Sequence, residues 1–147
     1  WQYSGYNTYT KLITVCENDK IAVELPFLLE DASNSESEPN GQFDWSDIEN
    51  RHVSMWLDAR EKHKSDIKAL EAFKLESIAN TFRNRIRSLE QQIKDAYDEN
   101  IKRMRQGELE TVREKYSRKI TEIKGIADKA DVLTTLLVNG VITIMGD

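Results

Sequence analysis

From about Asp44 onward, apolar residues recur at steps of three and four. One series runs Ile67, Leu70, Phe73 or Lys74, Ile78, Phe82, Ile86, Leu89, Ile93, Tyr97, Ile101 and Met104. A second runs Leu109, Val112, Tyr116, Ile120, Ile123 and then Ile126 or Ala127. Glu, Lys, Arg and Gln, all good helix formers, fill the intervals. The pattern predicts long helices over 44–128 with a narrow apolar seam and solvated flanks, packed in the manner of a coiled coil. Ser46 with Glu49 three residues later has capping-box spacing, and Asp44 is a second candidate cap. An unbroken helix over most of that span would be about 120 Å long and would need a partner along its whole seam. The chain can supply one by folding back. Between Met104 and Leu109 the seam slips to a step of five around Gly107, and Asp95–Asn100 is rich in turn-tolerant Asp and Asn. The reversal is therefore expected within 95–108, with the earlier half favoured, giving an antiparallel helical hairpin. The rival arrangement is a dimer of straight helices joined along the seam.

Both chain ends read as strand. Thr10–Cys16 is rich in β-branched residues, Glu17–Lys20 supplies a turn, and Ile21–Leu25 follows as a second run before Pro26. Together they predict a β-hairpin within residues 1–30. A two-stranded hairpin is marginal alone and needs a third strand or a helix beneath it. Residues 129–147 offer Val132–Val138, then Asn139-Gly140, then Val141–Ile144. Asn-Gly between apolar runs is a strong hairpin cue, although Ile126, Ala130, Leu133 and Leu137 also fit a continuing helix capped at Asn139-Gly140. In both cases Val141–Ile144 reads as a strand placed to complete the N-terminal sheet. The expected fold is thus α+β: a small antiparallel sheet built from both chain ends, with a long helical hairpin standing out from it as an arm. Residues 31–43 are polar and acidic and are expected to form a mobile loop.

Charge sharpens this division. Residues 1–50 hold Lys11 and Lys20 against ten acids, whereas residues 83–124 hold 12 basic and 8 acidic residues, so the overall net charge of −5 is an N-terminal property. With 39% hydrophobic and 32% charged residues in 147, the chain has material for one thin or elongated core. No apolar run approaches the ~18–20 residues of a membrane span. The single cysteine, Cys16, excludes an internal disulfide and suggests a reducing, cytoplasmic setting. The chain starts at Trp1 with neither an initiator Met nor a leader pattern, which predicts a piece of a longer protein.

Catalytic chemistry is hard to find. Neither of the Gly-rich phosphate-cradling patterns occurs, so nucleotide hydrolysis by this chain is not expected. Glu49 and His52 have the spacing of one arm of a helical di-iron site, but the second copy such a site needs is missing. No catalytic residue, cofactor or metal site is assigned, and His52 and His63 are expected to be solvated or helix-capping. Cys16 reads as a small buried hydrophobe in mid-strand. Trp1, Tyr3, Tyr6 and Tyr9 precede the first clear strand and are expected to face a neighbouring domain. The basic residues Arg83, Arg85 and Arg87, with Lys102, Arg103 and Arg105, form two groups flanking the expected reversal. They are the candidate nucleic-acid contacts, since a phosphate backbone is recognised by charge. Set against that, charge runs on long helices are commonly solvated faces.

Several of these residues also carry a family resemblance. Arg85, Arg87, Leu89 and Glu90 lead into Ile101, Lys102, Arg103, Met104 and Arg105, followed by Gly107, Glu108, Leu109 and Glu110. Glu114, Lys115, Tyr116, Lys119, Ile120, Glu122 and Ile123 come next, and Ala130, Asp131 and Val132 precede Val141-Ile142. In that order of parts, Leu70–Ile144 resembles the C-terminal region that follows the motor in bacterial Swi/Snf-type (RapA-like) helicase-related ATPases. The resemblance implies an ATP-dependent nucleic-acid translocase as parent, with this piece a non-catalytic accessory domain. It also implies duplex DNA or RNA, the parent's motor domains or another protein as partners, and favours a reversal near Asp98–Asn100. None of the motor's catalytic motifs occurs here. The expected assembly is a monomer or weak homodimer, and the alternative function is a structural coiled-coil dimerisation module.

Overall fold

The computed structural model describes residues 1–34 and 44–143. It is α+β, with a three-stranded antiparallel sheet and three α-helices in the order β1 (Gln2–Gly5), β2 (Tyr9–Leu12), α1 (Asp19–Glu30), α2 (Trp45–Asp95), α3 (Glu99–Ile123) and β3 (Val132–Thr135). A 3₁₀ turn at Ala127–Lys129 precedes β3. Two compact units divide the chain: Trp1–His63 together with the chain from Asp131 onward, and Lys64–Ala130.

In the first unit the strand order is β2-β1-β3, with Tyr3 opposite Lys11 on one side and Thr134 on the other. The β1–β2 connection turns through Asn7 and Thr8 at φ of 62° and 60°, the handedness that matches strand twist in tight hairpins. Side chains alternate across a sheet, so Tyr3, Gly5, Tyr9, Lys11, Val132 and Thr134 share one face. That face meets the first turns of α2, and its centre is dry: Tyr3 and Val132 are fully buried. The Tyr3 hydroxyl donates to the His52 carbonyl at 3.3 Å, and the Trp1 ring stacks on the His52 ring with centroids 4.2 Å apart. His52 Nε2 lies 2.9 Å from Thr134 Oγ1. One to three turns further on, the Trp56 indole donates to the Val132 carbonyl at 2.7 Å, Arg60 pairs with Asp131 through both carboxylate oxygens, and the His63 ring rests against Tyr9. Trp56 thereby occupies a backbone acceptor on the outer edge of β3, where an open strand would invite pairing with another chain. Gly5 permits the close approach of His63. A Cβ there would lie 2.7 Å from the Asp131 carbonyl and 3.1 Å from His63 Nε2.

Several expectations are corrected here. His52 and His63 are buried rather than solvated. Trp1, Tyr3 and Tyr9 pack inside the unit on those histidines instead of facing a neighbour. The first hairpin pairs residues 2–5 with 9–12, and Ile21–Leu25 lies in helix α1. Asn18 decides this locally, its side chain accepting from the Ile21 N–H at 3.0 Å as an N-cap, with Asp19 in the first turn. Arg51 of α2 then fixes the approach to α1, donating to the carbonyls of Cys16 and Glu17 and to Asp19. Cys16 sits in that connection, outside any strand and half-buried. Burial pushes its thiol pKa up, with Arg51 pulling it back. The third strand is Val132–Thr135, whereas Val141–Thr143 has no regular structure and Asn139-Gly140 turns no hairpin. Ile144 and most of the acidic 31–43 segment lie outside the described residues.

Burial lowers the pKa of His52. The Trp1 amino group acts in the same direction and Glu49 opposes them. A depressed pKa means that the folded state holds the ring neutral, so its contribution to stability is complete above about pH 6.5 and is lost as pH falls. Urea unfolding at pH 7.5, 6.5 and 5.5, followed by tryptophan fluorescence, should show falling stability in that window. The slope should be at most about 1.4 kcal/mol per pH unit for the single proton. A His52→Gln variant should flatten it.

The second unit is a helical hairpin. Phe82 meets Tyr116 with ring centroids 5.1 Å apart, Arg85 reaches Glu108, Glu90 pairs with Arg113 at 3.2 Å, and Glu71 reaches Gly125 and Ala127. From Glu71 through Phe82 to Arg85 the partner numbers fall from Gly125 through Tyr116 to Glu108, so α2 and α3 run antiparallel. The chain reverses at Ala96, Tyr97 and Asp98, where the Asp98 side chain accepts from the Asn100 N–H at 2.7 Å and starts α3. At the other end of α3, Gly125 takes φ of 87°. The Glu71 carboxylate accepts there from the Gly125 and Ala127 N–H groups at 3.3 and 2.8 Å, satisfying two backbone donors of the turn that leads from α3 into the 3₁₀ segment.

Candidate functional site

The candidate contacts all lie on the hairpin, and helical phase sorts them. Phe82, Ile86, Leu89 and Ile93 of α2 face Leu109, Val112 and Tyr116 of α3, all of them buried or half-buried. A residue one position after an inward one lies about 100° further round its helix. Because the helices are antiparallel, that rotation carries both to the same flank, as the Glu90–Arg113 ion pair demonstrates. The Arg85–Glu108 pair marks the opposite flank.

On the Glu90 flank, α2 presents Arg83, Arg87 and Lys94, all exposed, and α3 presents Arg103 and Arg113. Among the described residues Arg83, Arg87, Lys94 and Arg103 make no ion pair with a carboxylate. Arg83 donates only to the Asn80 side-chain oxygen, at 3.2 Å. Of the acids on this flank, Glu90 is tied to Arg113 and Glu99 to Lys102, which among the described residues leaves Glu76 and Glu110 as carboxylates without an ion pair. The strip is therefore locally cationic, within a hairpin unit that holds 16 basic and 12 acidic residues over Lys64–Ala130.

The six candidates named from sequence do not stay together. Arg83, Arg87 and Arg103 share the cationic flank. Arg85 and Arg105 both bond Glu108, which they hold below the usual carboxylate range: the Arg105 hydrogen bond acts most, burial opposes it, and Arg85 adds to it. Lys102 lies half-buried on the inner row and pairs with Glu99 at 3.0 Å. Sequence reasoning passed over Lys94 and Arg113. Both sit one position past an inward residue, Ile93 and Val112, and that phase was the available signal.

The tip of the hairpin carries a second feature. Tyr97 is fully exposed, Met104 is 58% exposed and Ile101 47%, although all three were expected in the seam. Asp98 starts α3 on a new phase, and the inner row at this end is taken by Lys102 and Arg105 instead. Phe73, also expected in the seam, is 69% exposed. Among the described residues no three His, Cys, Asp or Glu side chains gather as a metal site, and no helix is long and apolar enough to cross a membrane. Comparison of the chain with protein-family models, with curated proteins and with solved structures finds no match to any of them.

Proposed function

We propose that this chain is a non-catalytic interaction domain of a helicase-like, ATP-dependent nucleic-acid translocase, and that its helical hairpin positions nucleic acid or a protein partner for the motor. The observation that carries the nucleic-acid side of this reading is the run of exposed cations Arg83, Arg87, Lys94 and Arg103, none of them in an ion pair among the described residues, on one flank of a hairpin whose seam is closed within the chain. Phosphate backbones are met by such charge without any demand on sequence. The link to a translocase rests on the order of motifs from Leu70 to Ile144. A bacterial, cytoplasmic parent belongs to the same proposal.

The test is a titration of a fluorescent duplex at two salt concentrations, with sedimentation run in parallel. Binding that weakens steeply with salt, by a monomeric protein, is the expected result. A concentration-dependent dimer with no duplex affinity would overturn it in favour of a coiled-coil dimerisation module. The exposed Tyr97, Ile101 and Met104 favour that second reading, and Met104→Glu would then abolish the dimer.

A further inference from the structure

We infer that the hairpin contacts duplex nucleic acid with one flank only, the flank of Arg83, Arg87, Lys94 and Arg103, through the phosphate backbone. This rests on the nucleic-acid side of the proposed function and names the surface and the ligand class for it.

Three features select the flank. Arg83 and Arg87 are one turn apart, about 6 Å along α2, and Lys94 follows about 10 Å later, with the single intervening carboxylate, Glu90, neutralised by Arg113. A run of roughly 16 Å laid along a duplex passes about five phosphates of one strand at ~3.4 Å per step. Arg103 extends the strip from α3 near the reversal. The opposite flank differs in kind. Its Arg85 is bound by Glu108, its nearest free cations are Lys74 and Lys115, and its end near the reversal is occupied by Ile101 and Met104.

The ligand class follows from what accompanies the charge. Unpaired bases are held by aromatic platforms interleaved with cations. The hairpin aromatics are Phe73, Phe82, Tyr97 and Tyr116. Phe82 and Tyr116 pack on each other in the seam, Tyr97 lies in the reversal, and Phe73 faces away from α3 some ten residues before Arg83. None of them stands on the cationic strip. Charge without a stacking surface suits a paired, backbone-out ligand.

The experiment reads anisotropy of a labelled 20-bp duplex of arbitrary sequence with the whole chain at 50 and 200 mM salt. About four phosphate contacts give a loss of affinity on the order of 100-fold between those concentrations. Arg83→Glu with Arg87→Glu should weaken binding at 50 mM by more than about tenfold and make the salt dependence shallower. Lys74→Glu with Lys115→Glu makes the same change in charge on the other flank and should cost less than about threefold. Helical content of each variant, checked by circular dichroism, guards against an unfolded hairpin, and Arg83→Gln with Arg87→Gln repeats the test with a milder change. Equal losses from both flanks would overturn the one-flank assignment while leaving nucleic-acid binding in place. No binding by the unaltered chain at 50 mM would overturn both. Displacement by single-stranded DNA or polyaspartate as readily as by duplex would overturn the duplex assignment.

Discussion

Replacing Tyr3 with alanine should destabilise the sheet unit by about 3–5 kcal/mol, the usual cost of emptying a buried aromatic site. Tyr3 is fully buried at the centre of β1, the strand that both others pair with. Its ring lies 5.7 Å from that of His52, and its hydroxyl reaches the His52 carbonyl. The strands are four residues each, and Val132 is the other fully buried side chain on the sheet. So small a sheet depends on what it packs against, and little remains once Tyr3 is gone. Tyr3→Phe removes only the 3.3 Å hydrogen bond and should cost about 1 kcal/mol. The measurement is urea unfolding followed by tryptophan fluorescence, which reports on this unit because Trp1, Trp45 and Trp56 all belong to it. A Tyr3→Ala variant within 1 kcal/mol of the parent would mean that β1 is not the central strand.

The reason Tyr3 was not legible in the sequence is instructive. Gln2, Tyr3, Ser4 and Gly5 have no apolar alternation, and four residues are too few for a periodic signal. What makes them a strand is supplied from far along the chain, by His52 about 50 residues away and by β3 about 130 away. The two histidines misled for a related reason. As polar residues between Arg, Glu and Lys they look solvated, yet their spacing of eleven puts them close to one side of a helix, and that side is the one the sheet covers. Conversely, Ile21–Leu25 has strand-like residues but the local cap at Asn18 starts a helix.

The helices were far more legible, because their signal repeats and because each seam residue finds its partner on a tethered neighbour. Ile78, Phe82, Ile86, Leu89 and Ile93 face inward, as do Leu109, Val112, Tyr116, Ile120 and Ile123. Where periodicity alone failed, at Ile101 and Met104, the helix had been restarted by Asp98. Long polar side chains such as Lys102 and Arg105 cover apolar surface with their stems while their charged ends reach Glu99 and Glu108. The candidate contacts were legible as basic residues but not as a surface. Which cations are neutralised depends on carboxylates 23 residues away, as in Arg85 with Glu108 and Arg113 with Glu90.

That distinction gives the second large effect. Leu89→Ala should destabilise the hairpin by about 2–5 kcal/mol, since Leu89 is fully buried in the seam and its removal leaves a cavity that two long helices cannot readily close. Phe73→Ala deletes a larger side chain from the same helix but should change stability by less than about 0.5 kcal/mol, because Phe73 is largely exposed. Sequence periodicity ranks the two alike, so the contrast tests the packing rather than the pattern. Thermal unfolding monitored by circular dichroism at a fixed low concentration reads it out, and a repeat at tenfold higher concentration adds a second criterion. Leu89 buried against the same chain's α3 predicts a midpoint independent of concentration for parent and variant alike. If Phe73→Ala were the more damaging change, or if the Leu89→Ala midpoint rose with concentration, the seam would be closed by a second molecule. The cationic strip would then have to be sought on a different face.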